Sequence, residues 1–158
     1  MFKAIEDRSG IVQIHNRPEH AHQLDYAAAK YPGITWLIDH MMYPEPNMGP
    51  GWDVYKPVLE LAKHDNVMMK ISDIHNRSEG EFPFTDMHDV IKMAFEAFGV
   101  ERCLWGTGYP GYHRVENGWL SLADELKLVC EGFDWLTADE IAKYLGDNAM
   151  GVWNWDNE

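Results

Sequence analysis

The sequence predicts a parallel α/β fold built from four tandem βα units, and three observations carry that expectation. Four short runs rich in apolar, β-branched and aromatic residues, at 11–15, 34–40, 67–72 and 103–108, are near-continuous, as suits strands buried on both faces. Segments with helical apolar spacing separate them. With 158 residues and 46% hydrophobic content, the chain can pack one core but not two comfortable ones. Tandem βα units close through right-handed crossovers.

Taken in order, the first run is Ile11-Val12-Gln13-Ile14-His15, and Leu24, Ala27, Ala28 and Tyr31 then fall at i, i+3, i+4, i+7 until Tyr31-Pro32-Gly33 stops the helix. The second run leads into a Pro-, Gly- and Met-rich loop at 43–51, after which Val54, Val58, Leu61 and Ala62 repeat the helical spacing. A third run and a second loop, 73–83, precede a helix marked by Ile91, Ala94, Phe95 and Phe98 and stopped at Gly99. After the fourth run come Leu122, Ala123, Leu126, Val129 and Phe133. Thr137-Ala138-Asp139-Glu140 reads as a capping box opening a helix through Tyr144 that Gly146 ends. A short last helix from Asp147-Asn148 is expected to bury Trp153, as Trp36, Trp105, Trp119, Trp135 and Trp155 are expected to fill space between sheet and helices.

Charge narrows the partners. A net charge of −13, from 26 acidic and 13 basic residues spread along the chain, repels phosphate backbones and anionic lipid surfaces. Neither nucleic acid nor membrane is therefore expected as a partner. No run reaches the ~20 apolar residues of a membrane span. Met1-Phe2-Lys3 leads into Glu6-Asp7-Arg8 and not into an apolar secretory core. Cys103 and Cys130 have no metal-type spacing and read as two buried reduced thiols, so a cytoplasmic protein is expected.

The polar residues fall where chemistry would need them. His15 and His40 end successive strands, and Asp73 with His75 follows the third. In parallel α/β folds the C-terminal strand ends converge on one pocket, and imidazole is the commonest metal ligand and near-neutral acid or base. Against this stands the plainer reading that a strand histidine is a satisfied core residue. Trp52, in the loop after His40, is a candidate for lining a substrate pocket, with core packing as its alternative. His75 and Asn76 are candidates for reaching substrate. His20-Ala21-His22 imitates a metal pair in letters only, because residues i and i+2 at a helix start face different ways. His64 and His88 read as surface positions on helices, and strand alternation leaves open which face Lys70 takes.

Val12-Gln13-Ile14-His15, Leu37-Ile38-Asp39-His40 and Asn66-Val67-Met68-Met69-Lys70-Ile71-Ser72 resemble the later strands of the amidohydrolase-related family. The segment from Phe98 to Pro110, with Gly106-Thr107-Gly108-Tyr109-Pro110, is similar to that family's eighth-strand signature, and Gly146-Asp147-Asn148-Ala149 to its closing helices. The resemblance spans 11–155. It implies the C-terminal half, strands 5 to 8, of a (β/α)8 TIM barrel, in a family of metal-dependent hydrolases, decarboxylases and lactonases. It further implies that His15 binds a divalent metal, zinc first with manganese or iron as alternatives, and that His40 contacts the metal-bound water or polarises the substrate.

Two departures limit what carries over. Gly108 stands where the family keeps an aspartate that takes a proton from the metal-bound water, and no first-strand His-x-His pair is present. His113 could replace the missing base, and Arg114 could anchor a substrate carboxylate, although both also suit an exposed loop. Two functions follow. One is a hydrolase or decarboxylase for a small, carboxylated organic substrate, completed by a second copy or a partner chain. The other is a non-catalytic half-barrel serving as a binding or assembly partner. An open half-barrel would expose two sheet edges and an apolar inner face, whereas a small doubly wound sheet would not need completing.

Overall fold

The computed structural model describes residues 1–109 and 118–153. The expected strands are all present: β1 (Ile11–Ile14), β2 (Thr35–Ile38), β3 (Val67–Ile71) and β4 (Cys103–Trp105). They form one parallel sheet in the order β1-β2-β3-β4. Between and after them lie α2 (Ala21–Lys30), α3 (Lys56–Leu59), α4 (His88–Phe98) and α5 (Leu122–Gly132), and a short α1 (Phe2–Glu6) precedes β1.

Register sorts the strand residues onto two faces. Val12, Trp36 and Val67 align, as do Ile14, Ile38, Met69 and Cys103. This face packs on Leu24, Ala28, Val58, Leu61, Ile91, Ala94, Phe95 and Phe98 to make the main core. The other face carries Gln13, Leu37, Met68, Lys70 and Leu104. It is less bare than expected of an open half-barrel, since Leu37 and Leu104 are each only 1% exposed.

Side-chain amides and hydroxyls stitch helices to strand ends. Asn66 Nδ2 donates to the carbonyls of Ala28, Tyr31 and Ile34 at 3.3, 3.2 and 3.0 Å, fixing the α2–β2 turn against β3. Asn148 Nδ2 donates to Val100 O at 2.7 Å and Cys103 O at 2.8 Å, pinning the start of the last helix, α7 (Asn148–Trp153), onto β4. Tyr144 Oη donates to Ile71 O at 2.6 Å.

Several local expectations are corrected. The helix spaced on Val54 starts only at Lys56, beside Pro57, and gives way to a 3₁₀ turn at Glu60–Lys63, so Val54 is 58% exposed. On α5 the buried face is Glu125, Leu128 and Val129, leaving Leu122 and Leu126 outside. The Thr137 capping box forms and opens α6 (Ala138–Ala142), but Gly146 does not end that helix. A π-helical turn at Lys143–Asp147 carries the chain directly into α7. Trp153, at the end of α7, is 40% exposed and not buried as expected. Cys103 is buried as expected, whereas Cys130 is exposed. His64 and His88 are half-buried where surface positions were expected. His64 shares a 2.7 Å contact with Asp25, and His88 donates from Nε2 to Pro83 O at 2.8 Å while packing on Phe133 and Trp135.

Candidate functional site

The site forms where β1 and β2 end. Gln13 aligns with Leu37 and Leu37 with Met68, so two residues further on His15, Asp39 and Lys70 become cross-strand neighbours on one face. Simple alternation would send His40 to the opposite face. Instead the chain leaves the sheet through four consecutive residues with positive φ, His40, Met41, Met42 and Tyr43, at 47°, 56°, 55° and 58°. For side chains with a Cβ this conformation costs about 1–2 kcal/mol per residue. Burial of Met41 and Met42 and a 2.7 Å hydrogen bond from Tyr55 Oη to Met41 O offset it. The result is that Asp39 and His40 face the same space.

Asp39 is the hub. Its Oδ2 lies 3.5 Å from His40 Nε2 and 3.9 Å from His15 Nδ1, and its Oδ1 is ion-paired with Lys70 Nζ. Burial alone would raise the Asp39 pKa, but the Lys70 ammonium and the Gln13 amide outweigh it and hold the carboxyl below its ordinary range. His40 is pushed the other way from a typical ion-paired histidine. Burial lowers its pKa more than the nearby Asp39 carboxylate raises it, so the neutral imidazole is favoured.

Hydroxyls hold the outer nitrogens of both rings. His40 Nδ1 lies 2.9 Å from Ser72 Oγ, and His15 Nε2 lies 2.6 Å from Tyr43 Oη. When those nitrogens carry the protons and donate to the hydroxyl oxygens, the lone pairs of His40 Nε2 and His15 Nδ1 both face Asp39. The Tyr43 phenol pKa is raised by burial, then by Asp39 and Asp73, which keeps it protonated. Arg77 and Arg17 stack over the Tyr43 ring with Cζ 4.6 and 5.2 Å from its centroid, and both reach Glu45, at 3.9 and 3.4 Å.

Among the described residues, His15, Asp39 and His40 form a group that could hold a divalent metal, with donor atoms all within 4.8 Å of one another. Three tetrahedral ligands at ordinary zinc distances sit about 3.4 Å apart, so the two Asp39 pairs, at 3.5 and 3.9 Å, need to close by only tenths of an ångström, and the two imidazoles, within 4.8 Å of each other, by no more than about 1.4 Å. A neutral imidazole and an ionised carboxylate are also the right donor forms. The residues fit the ion.

The expected site residues are thus partly assembled. His15 and His40 come together; Asp39, Tyr43 and Ser72 join them without having been singled out, and so does Lys70, whose face the sequence left open. His75 does not join this cluster. Its side chain is 5% exposed and lines an adjoining small cavity with Ser72, Glu125, Leu128 and Tyr144 at the end of β3. Trp52 packs partly buried against the main core, the alternative reading given for it. His113 and Arg114 lie outside the described residues. His20 and His22 sit at the start of α2, with His22 Nδ1 turned back 3.0 Å from Glu19 O.

Known proteins share the fold that carries this site. An L-fucono-1,5-lactonase from Burkholderia ambifaria is 26% identical over 144 residues, covering 88% of this chain and 48% of the lactonase. A Pseudomonas putida protein provisionally assigned as a 2-pyrone-4,6-dicarboxylic acid hydrolase superposes with a TM-score of 0.81 at 22% identity, over 100% of this chain and 56% of its own. A zinc-bound amidohydrolase from Burkholderia multivorans gives a TM-score of 0.79 at 17% identity, over 97% of this chain and 55% of its own. The chain spans about half the length of the relatives it matches, and the two solved structures share its fold. The family model described as Amidohydrolase matches residues 1–155, and the chain belongs to that family.

Proposed function

We propose that the chain supplies strands five to eight of a barrel hydrolase whose metal is held by His15, Asp39 and His40. The observation behind this reading is the convergence of those three donors at the C-terminal ends of β1 and β2, with Asp39 held toward its ionised form and His40 toward its neutral one. Zinc is the first choice because two imidazoles and one carboxylate are a common catalytic zinc set, with manganese or iron as alternatives. The bound ion would lower the pKa of a water and polarise a carbonyl.

The chain's own residues do the remaining work. Ser72 and Tyr43 fix the orientation of the two imidazoles. The buried Asp39 stays ionised beside Lys70 and supplies the carboxylate of the site from the end of β2. Arg17 and Arg77, only partly balanced by Glu45, form a positive rim above Tyr43 that suits a carboxylated substrate. That substrate class includes small lactones, by analogy with the lactonase relative. His113 is the candidate for the missing base, with Arg114 as a further anion anchor.

A second copy or a partner chain would cover the β1 and β4 edges and complete the pocket. Two free thiols, one of them exposed, suit a reducing cytoplasm. Gly108 favours a second reading, a half-barrel that binds without catalysis. Proton release from a panel of carboxylated lactones, followed with zinc present, separates the two. Turnover that drops at least about 100-fold in Asp39→Asn supports the hydrolase. Turnover indifferent to that change, or absent from the wild-type assembly, supports the binding reading.

A further inference from the structure

Lys70 brings an ammonium group against the carboxylate of the candidate metal site. Its ammonium is ion-paired with Asp39 Oδ1, on the same carboxylate whose Oδ2 faces both histidines. The side chain reaches that position from the penultimate residue of β3, on the sheet face that carries Gln13, Leu37 and Leu104, and it is held there. A Cβ on Gly106 would lie 2.8 Å from Lys70 Cδ and 3.2 Å from its Cγ and Cε, so the aliphatic stem runs directly against the β4 end where only glycine leaves room. The Lys70 side chain is 17% exposed and the Asp39 side chain 8%, which limits screening of the charge by water.

We propose that Lys70 is a built-in counter-cation that competes with the metal for Asp39 and sets the affinity of the site. The inference rests on the metal reading given above. Two effects oppose each other. The ammonium orients Asp39, which helps a metal to bind, and it repels a second cation a few ångströms away, which hinders binding. Orientation is already provided in part by Gln13, and by burial of the carboxylate in the β2 end. Repulsion between a fixed single charge and a dication at this range, in a poorly screened site, is the larger effect. The consequence is a site that loads and releases metal with supply and does not retain it through purification.

Zinc titration of the full chain by calorimetry tests this without any assay of turnover. Lys70→Met is expected to bind zinc at least about tenfold more tightly than wild type, while Lys70→Arg, which keeps the charge, stays within about threefold. Equal or weaker binding by Lys70→Met overturns the proposal. Far-UV circular dichroism verifies that each variant folds, and Lys70→Gln replaces Lys70→Met under the same criteria if the latter does not. His15→Ala and Asp39→Asn separate the two levels. If they leave zinc affinity unchanged, or if wild type and Lys70→Met both fail to bind, the metal reading falls. If they abolish binding while Lys70→Met changes nothing, only the role of Lys70 falls.

Discussion

At the scale of single residues, the site depends on a carboxylate and an imidazole whose pKa values are both displaced toward metal-binding forms. Burial holds His40 below its ordinary 6.5, so the unfolded chain takes up a proton before the folded one does. The stability linked to His40 is therefore fully present above about pH 6.5 and is lost as the pH falls below it. Asp39 is also depressed, but its contribution is lost only at more acid pH, below its ordinary 3.8. In metal-free protein the melting temperature should thus fall from pH 7 to pH 5, and His40→Gln should flatten that slope. Identical slopes in the two proteins would contradict the assignment.

The same scale shows what was legible in the sequence. His15 and His40 could be found because they end two apolar runs in series. Asp39 lies in the motif Leu37-Ile38-Asp39-His40, yet alternation allows only one of two adjacent strand residues to face a pocket. The left-handed run at 40–43 breaks that alternation, and nothing in His-Met-Met-Tyr announces it, since no glycine is present. The face of Lys70 was undecidable for a related reason. It depends on register with β2, which is a property of strand pairing and not of the strand itself.

At the scale of elements, strands and helix stops were readable because apolar periodicity and Gly or Pro punctuation are local. The helix faces were less so. On α5 two apolar stripes compete, and packing under the sheet selects the one with Leu128 and Val129, accepting Glu125 into the buried face. The last helix illustrates how a single polar side chain fixes an element. Asn148 gives both its amide protons to carbonyls on either side of the β4 start. Asn148→Ala leaves those carbonyls without their donor and should destabilise the fold by about 1–3 kcal/mol. Urea denaturation measures it, and a loss below about 0.5 kcal/mol would show that α7 docks by apolar contact instead.

At the scale of the whole molecule, four parallel strands in sequential order present β1 and β4 as two edges of complementary direction, as a barrel half requires. If a second copy completes the barrel, sedimentation should give twice the chain mass, whereas a stable monomer would leave closure to a different chain. Either way the candidate metal ligands come from β1 and β2 of this chain, so they are present before closure. The most direct test of the account is therefore the zinc content of the full chain after equilibrium dialysis against buffered zinc. The account predicts one zinc per chain in wild type, falling to near zero in Asp39→Asn and in His15→Ala. Zinc uptake that is absent in wild type, or unchanged in both variants, would contradict it.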